Sequence, residues 1–98
     1  MEVKIKAIHF DVAEKLTSFI NKKVERLARH NSAITLADVT LKVVKPETAM
    51  NKEALVKITV PQQEDIVATK VADTFEEAID LCLEAIERQL EKKKSKKA

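Results

Sequence analysis

The sequence predicts an α+β domain in the order β-α-β-β-β-α, a four-stranded sheet with two helices packed on one face. Three observations predict it. Four segments alternate apolar and polar residues, each with a single apolar side, as strands covered on one face do. Two longer segments repeat their apolar residues at helical spacing. Three of the strand segments follow one another directly, which favours an antiparallel-rich sheet under one shared covering layer.

The first strand is EVKIKAI, with Val3, Ile5 and Ala7 on one side and Lys4 and Lys6 on the other. Asp11 stands where it could cap the next helix, with Glu14 three residues on as its capping-box partner. That helix is expected to run to about Arg29, with Ala13, Leu16, Ile20, Val24 and Leu27 on one stripe. LADVTLKVVK gives the second strand through Val39, Leu41 and Val43, and Pro46 stops it because proline has no N–H for the ladder. KEALVKITV gives the third, with Ala54, Val56, Ile58 and Val60 facing in and Pro61 closing it. PQQE turns the chain into DIVATKVA, the fourth strand, whose inner face is open between Ile66 with Ala68 and Val67 with Val71. Thr74 caps the second helix, Glu77 takes the capping-box position, and Phe75, Ile79, Cys82, Ile86 and Leu90 form the apolar stripe. The domain is expected to occupy residues 1–92, with a lysine-rich tail at 93–98.

A chain of 98 residues, 45% hydrophobic and 35% charged, suits one soluble domain with an ordinary core. No apolar run reaches the roughly 18 residues of a membrane span. The start MEVKIKAIHF alternates instead of forming the apolar block of a signal peptide. A lone cysteine, Cys82, has no partner for an internal disulfide, so a reducing cytoplasm is expected. With no glycine there is no Gly-rich phosphate loop, no dinucleotide-binding turn and no Gly-based RNA clamp. Tryptophan and tyrosine are also absent, and Phe10, Phe19 and Phe75 fall outside the strands, so a base-stacking sheet is not expected.

Net charge is only +2, yet the charges are segregated. In NKKVERLARH, residues 21–30, the apolar positions belong to the first helix's core stripe. Opposite that stripe lie Lys22, Arg26 and Arg29, with Lys15 a turn or two before them and Lys23 and His30 on the flank. Glu14 and Glu25 fall on a different edge. The second helix instead carries an acidic outer band of Glu76, Asp80, Glu84, Glu87 and Glu91. Positive charge returns at Arg88, Lys92, Lys93, Lys94, Lys96 and Lys97, and on the sheet's polar face at Lys4, Lys6, Lys42 and Lys57 beside Thr40 and Thr59. A charged outer face is also what any solvated helix shows, and cations at a helix C-terminus favour its dipole. Several cations on one rigid surface suit phosphate-backbone binding as well.

Other chemistry finds little support. His9 and His30 have no second ligand at metal-binding spacing, so no metal and no cofactor are expected. Cys82 lies on the core stripe and reads as a small buried hydrophobe. The carboxylates of the second helix are spread along a solvated face, unsuited to paired acid–base work. Phe19 could stack on a base or cover the sheet edge. No enzyme and no small-molecule substrate are implied.

With these residues in view, the chain resembles the bacterial family of short hibernation-promoting factors and protein Y, also called sigma-54 modulation proteins. The resemblance spans VKIKAIHFDVAEKL to the end of the second helix and is most specific in INKKVERLARH and FEEAIDLCLEAIERQLEKKK. The first carries Asn21, Lys23, Arg26, Leu27, Arg29 and His30 of the family's helix-one run. The second carries Ala78, Ile79 and Asp80, then Arg88, Gln89 and Leu90. The resemblance implies a protein that binds the small ribosomal subunit between head and body, overlaps mRNA and tRNA in the decoding region, and silences idle ribosomes in stress or stationary phase; when free, the chain is expected to be a monomer. It implies that Lys23, Arg26, Arg29, Arg88 and Lys92 contact ribosomal RNA; Lys22 joins them on helical geometry, and Lys93 completes the expected set. Family members often have Met-Tyr near the start of the second helix, where this chain has Phe75-Glu76. Two other readings stay open from the residues alone: a protein-interaction module dimerising through a strand edge, and a generic double-stranded RNA binder.

Overall fold

Strand β1 (Glu2–Ala7) leads through helix α1 (Glu14–His30) to β2 (Leu36–Val43), β3 (Lys52–Thr59), β4 (Ile66–Ala72) and helix α2 (Phe75–Ser95), the order expected from the sequence. This computed structural model describes residues 1–44 and 49–95; the strand stop assigned to Pro46 and the tail cations Lys96 and Lys97 lie outside the described residues. The sheet order is β1-β2-β3-β4, with β1 parallel to β2 and the other neighbours antiparallel. A parallel pair needs a crossover, and α1 supplies it. Helix α1 returns from the end of β1 to the start of β2, and α2 leaves from the end of β4, which runs the same way as β2. Both helices therefore start at the same end of the sheet. There Phe10, just before α1, stacks on Phe75, the first residue of α2, with ring centroids 5.2 Å apart and planes 15° from parallel.

Register converts the alternating sequence pattern into rows across the sheet. Val3, Ala37, Ile58 and Ile66 form one inner row, and Ile5, Val39, Val56 and Ala68 the next. These rows meet Leu16, Ile20, Val24 and Leu27 of α1 and Ala78, Ile79, Cys82, Leu83, Ile86 and Leu90 of α2 in one buried cluster. Burying each large aliphatic contributes roughly 1.5–3 kcal/mol, so the α1 stripe alone is a substantial part of the stability of so small a domain. The register also decides the face of β4. Ile66 and Ala68 pair with inward Ile58 and Val56, while Val67 points out and is 46% exposed.

Two local expectations need adjustment. Helix α1 starts at Glu14 with Ala13 as its N-cap residue, and no side chain caps it. His9, at φ 67°, turns the chain after β1, so Asp11 falls two residues short of the cap position and the Asp11–Glu14 box does not form. Ala13 is thus exposed and lies outside the core stripe. At α2 the expected cap is present: the Thr74 hydroxyl accepts a hydrogen bond from the Glu77 N–H at 3.1 Å. The helix then continues to Ser95.

A chain without glycine must still make its turns. His9, Met50 and Gln62 take positive φ, a region that costs a residue with a Cβ about 1–2 kcal/mol. Gln62 follows Pro61 in the β3–β4 turn, which the Gln63 N–H closes onto the Val60 carbonyl at 3.2 Å. Proline followed by a residue at positive φ is the pattern of a type II turn, where glycine is ordinarily preferred. Gln62→Gly is therefore expected to raise stability by about 0.5–1 kcal/mol after the entropy cost of glycine, read from the urea midpoint with an unchanged slope.

Candidate nucleic-acid interface

The apolar stripe of α1 lies against the sheet, so its opposite face is solvent-exposed. Lys15, Lys22, Arg26 and Arg29 are all exposed on that face. Successive members Lys22, Arg26 and Arg29 stand four and three residues apart, which makes them neighbours on the helix surface. Glu25 does stand four residues before Arg29, at ion-pair spacing. Even so, neither Lys22, Arg26 nor Arg29 forms an ion pair among the described residues. Three like charges held this closely repel one another mildly on their own and gain most when an anion is brought to them.

Lys23 differs from its neighbours. Its ammonium lies 3.3 Å from Asp80 Oδ1 on α2 and 5.4 Å from the centre of the Phe19 ring. The side chains of Lys23 and Asp80 are 37% and 50% exposed, so this pair contributes about 0.2–1 kcal/mol, and the ring adds about as much. Sequence reasoning placed Lys23 with the RNA contacts and Asp80 in a solvated band. No local signal joins them, because the pairing exists only once α1 and α2 lie side by side. Phe19 packs against the core and also seats the Lys23 ammonium.

The Lys23–Asp80 contact also fixes which flank of each helix faces the other. At about 100° per residue, Arg88 and Lys92 fall beyond the acidic band of α2, on the side away from Asp80. They are exposed, and Arg88 is held by Glu84 at 3.1 Å. The predicted residues therefore divide. Lys22, Arg26 and Arg29 form one continuous stripe, while Arg88 and Lys92 stand apart on α2, with Lys93 one residue further along that helix.

The sheet's outer face is less basic than its lysines suggest. Across the strands, Lys57 sits opposite Asp38, Asp38 is flanked on its other side by Lys4, and Lys42 sits opposite Glu53. Lys57 also pairs with Asp65 at 3.3 Å, and Lys4 with Glu2 at 4.0 Å. Of these four lysines, Lys6 alone has no acidic residue among its cross-strand partners and stands beside Thr40. This charge-mixed face cannot rival α1 as an anion surface.

Among the described residues, no cluster of three or more His, Cys, Asp or Glu is arranged to hold a metal. The Cys82 thiol hydrogen is shared between the carbonyl oxygens of Ala54 at 3.2 Å and Ala68 at 3.5 Å. Burial pushes that thiol up to about 11, so at neutral pH it is neither a thiolate nor accessible. No helix among the described residues is long and apolar enough to cross a membrane.

Fold and site together define a small α+β domain that presents one cationic helix face. Comparison with known proteins gives the family. The sequence matches the family described as sigma 54 modulation protein / S30EA ribosomal protein over residues 3–98, and the chain belongs to it. It is 31% identical over 96 residues to a ribosome hibernation promoting factor of Azotobacter vinelandii, covering 98% of this chain and 85% of that one. It is 29% identical to the protein of the same name in Pseudomonas putida, covering 98% and 89%. Among solved structures, a ribosomal subunit interface protein from Coxiella burnetii superposes with a TM-score of 0.85 at 21% identity, covering 97% of this chain and 99% of that one. The N-terminal domain of Thermus thermophilus protein Y superposes at 0.77 with 18% identity, covering 94% and 98%. Both structures share the fold. These relatives are ribosome-associated factors, and none is named as an enzyme.

The buried thiol gives a test of this packing. Because its folded-state pKa lies above the ordinary value of 9.0, its stabilising contribution is full below pH 9. That contribution is lost as pH rises from about 9 to about 11. In urea titrations across that range, Cys82→Ala is expected to lose less stability than the parent. The parent should also leave a thiol reagent unreacted at pH 7 until it is unfolded.

Proposed function

We propose that this chain is a ribosome hibernation factor: it binds the small ribosomal subunit at the decoding region and excludes mRNA and tRNA there. Translation is thereby inhibited in stress or stationary phase. The observation that carries the reading is the exposed stripe of Lys22, Arg26 and Arg29, without a carboxylate partner among the described residues, on a family member whose relatives are named as hibernation promoting factors. Phosphate binding asks for that arrangement, several cations on a rigid element, and asks for no base-specific groups. Arg88, Lys92 and Lys93 extend the contact along α2, reaching a second stretch of RNA across the acidic band. The action is steric occupancy without turnover, so neither a cofactor nor a small-molecule substrate is required. The protein works as a monomer in the cytoplasm, where its partner is found.

Affinity built on phosphate contacts is strongly salt-dependent. About four neutralised phosphates make binding fall roughly 10²-fold between 50 and 200 mM salt, because each contact releases condensed counterions. A strand-edge interaction module is the second reading, favoured by the open edge at β4 with Val67 exposed. Its affinity would barely respond to salt.

Reversing Lys22, Arg26 and Arg29 to glutamate alters only exposed side chains and is expected to leave the melting temperature within a few degrees. The same triple variant should no longer sediment with vacant bacterial ribosomes at low salt. Retention of binding by the folded variant excludes α1 as the ribosomal contact.

A further inference from the structure

Lys23 lies within the same basic run as Lys22 and Arg26, yet its surroundings set it apart. Its ammonium is held between Asp80 of α2 and the ring of Phe19. An RNA phosphate that recruited Lys23 would have to draw it away from Asp80 and leave that carboxylate facing the incoming anion. The pair carries no net charge, so it adds almost nothing to the neutralisation of phosphates, unlike Lys22, Arg26 and Arg29.

The pair does occupy a position from which it can set geometry. Helix α1 rests on the β1 side of the sheet, where Val3 and Ile5 are only partly buried and β1 is an edge strand. The seam beneath α1, formed by Leu16, Ile20, Val24 and Leu27, is aliphatic throughout. Aliphatic packing is non-directional and resists lifting the helix off more than it resists rolling it about its axis. A roll of a full residue step, about 100°, would expose that aliphatic stripe, so the freedom the seam leaves is a smaller roll, and a smaller roll already re-aims the basic face. The Lys23–Asp80 contact is directional, sits on the flank of α1 facing α2, and opposes that roll.

We propose that Lys23 is a positioning residue and not a phosphate contact: bridged to Asp80 and seated over Phe19, it locks α1 against α2 and sets the direction in which Lys22, Arg26 and Arg29 face the RNA. The inference rests on the ribosome-binding reading for its consequence, but the lock itself is a property of the free protein.

The two roles predict opposite signs for one substitution. Asp80→Asn removes a negative charge from beside the basic stripe. If Lys23 is a phosphate contact, the change frees it and tightens binding to vacant ribosomes. If Lys23 positions the helix, the change loosens the lock and weakens binding by up to about five-fold, as loss of a half-exposed pair allows. The experiment measures ribosome affinity at several salt concentrations for the parent, Lys23→Gln, Asp80→Asn, the double exchange of Lys23→Asp with Asp80→Lys, and Arg26→Gln. Both single changes should weaken binding alike without altering the slope of log affinity against log salt, and the exchanged pair should recover most of the loss. Arg26→Gln should lower that slope by about one. A tighter Asp80→Asn variant, a salt slope reduced by about one in Lys23→Gln, or no recovery in the exchanged pair overturns the proposal.

A double-mutant cycle on the thermal stability of the free protein, using Lys23→Gln and Asp80→Asn, tests the lock without ribosomes. Non-additivity is expected, and strict additivity overturns the proposal. Failure of the parent to bind ribosomes, or an Arg26→Gln variant that binds as the parent does, instead counts against the ribosome-binding reading. The lock is then judged on the cycle alone.

Discussion

Ile20, Val24 and Leu27 of α1, Ile79, Cys82 and Ile86 of α2, and Val39, Val56 and Ile58 of the sheet share one aliphatic seam with almost no solvent exposure. The other features of the domain follow from that seam being one-sided. Each strand has one apolar face and each helix one apolar stripe, so the sheet is covered once and every element keeps a second face for water. The helix faces turned away from the seam are free to carry charge because they contribute little to stability. This freedom allows α1 to be basic and α2 to be acidic within a chain whose net charge is only +2.

The same seam explains which parts were legible in the sequence. Periods of two and of about 3.6 residues are local signals, so element order, the α1 stripe and the inward residues of β2 and β3 could be read directly. The face of β4 could not, because Ile66 with Ala68 and Val67 with Val71 offer alternation in either sense. Pairing with Ile58 and Val56 of β3, a non-local contact, decides it. The Asp11 cap failed for a different reason. Residue spacing alone suggested it, but the turn at His9 uses up chain before the helix begins.

Charge proved harder to read than fold. The lysines of the outer sheet face counted as basic in the sequence, yet register sets Asp38 between Lys4 and Lys57 and Glu53 beside Lys42. Counting cations along the chain therefore overstated the basic surface, and accounting for cross-strand carboxylates reduces it to α1. Lys23 and Arg88 likewise looked equivalent to Arg26 until Asp80 and Glu84 appeared beside them. What remains is a single rigid stripe without carboxylate partners among the described residues, and the proposed ribosomal contact rests on it.

The central claim is tested most directly by sedimenting the purified protein with vacant bacterial ribosomes through a sucrose cushion at low and moderate salt, with a plain RNA duplex as competitor. The account predicts that the protein pellets with ribosomes at low salt, resists the duplex and is lost as salt rises. Protein that stays in the supernatant at both salts, or that the duplex removes completely, would contradict it.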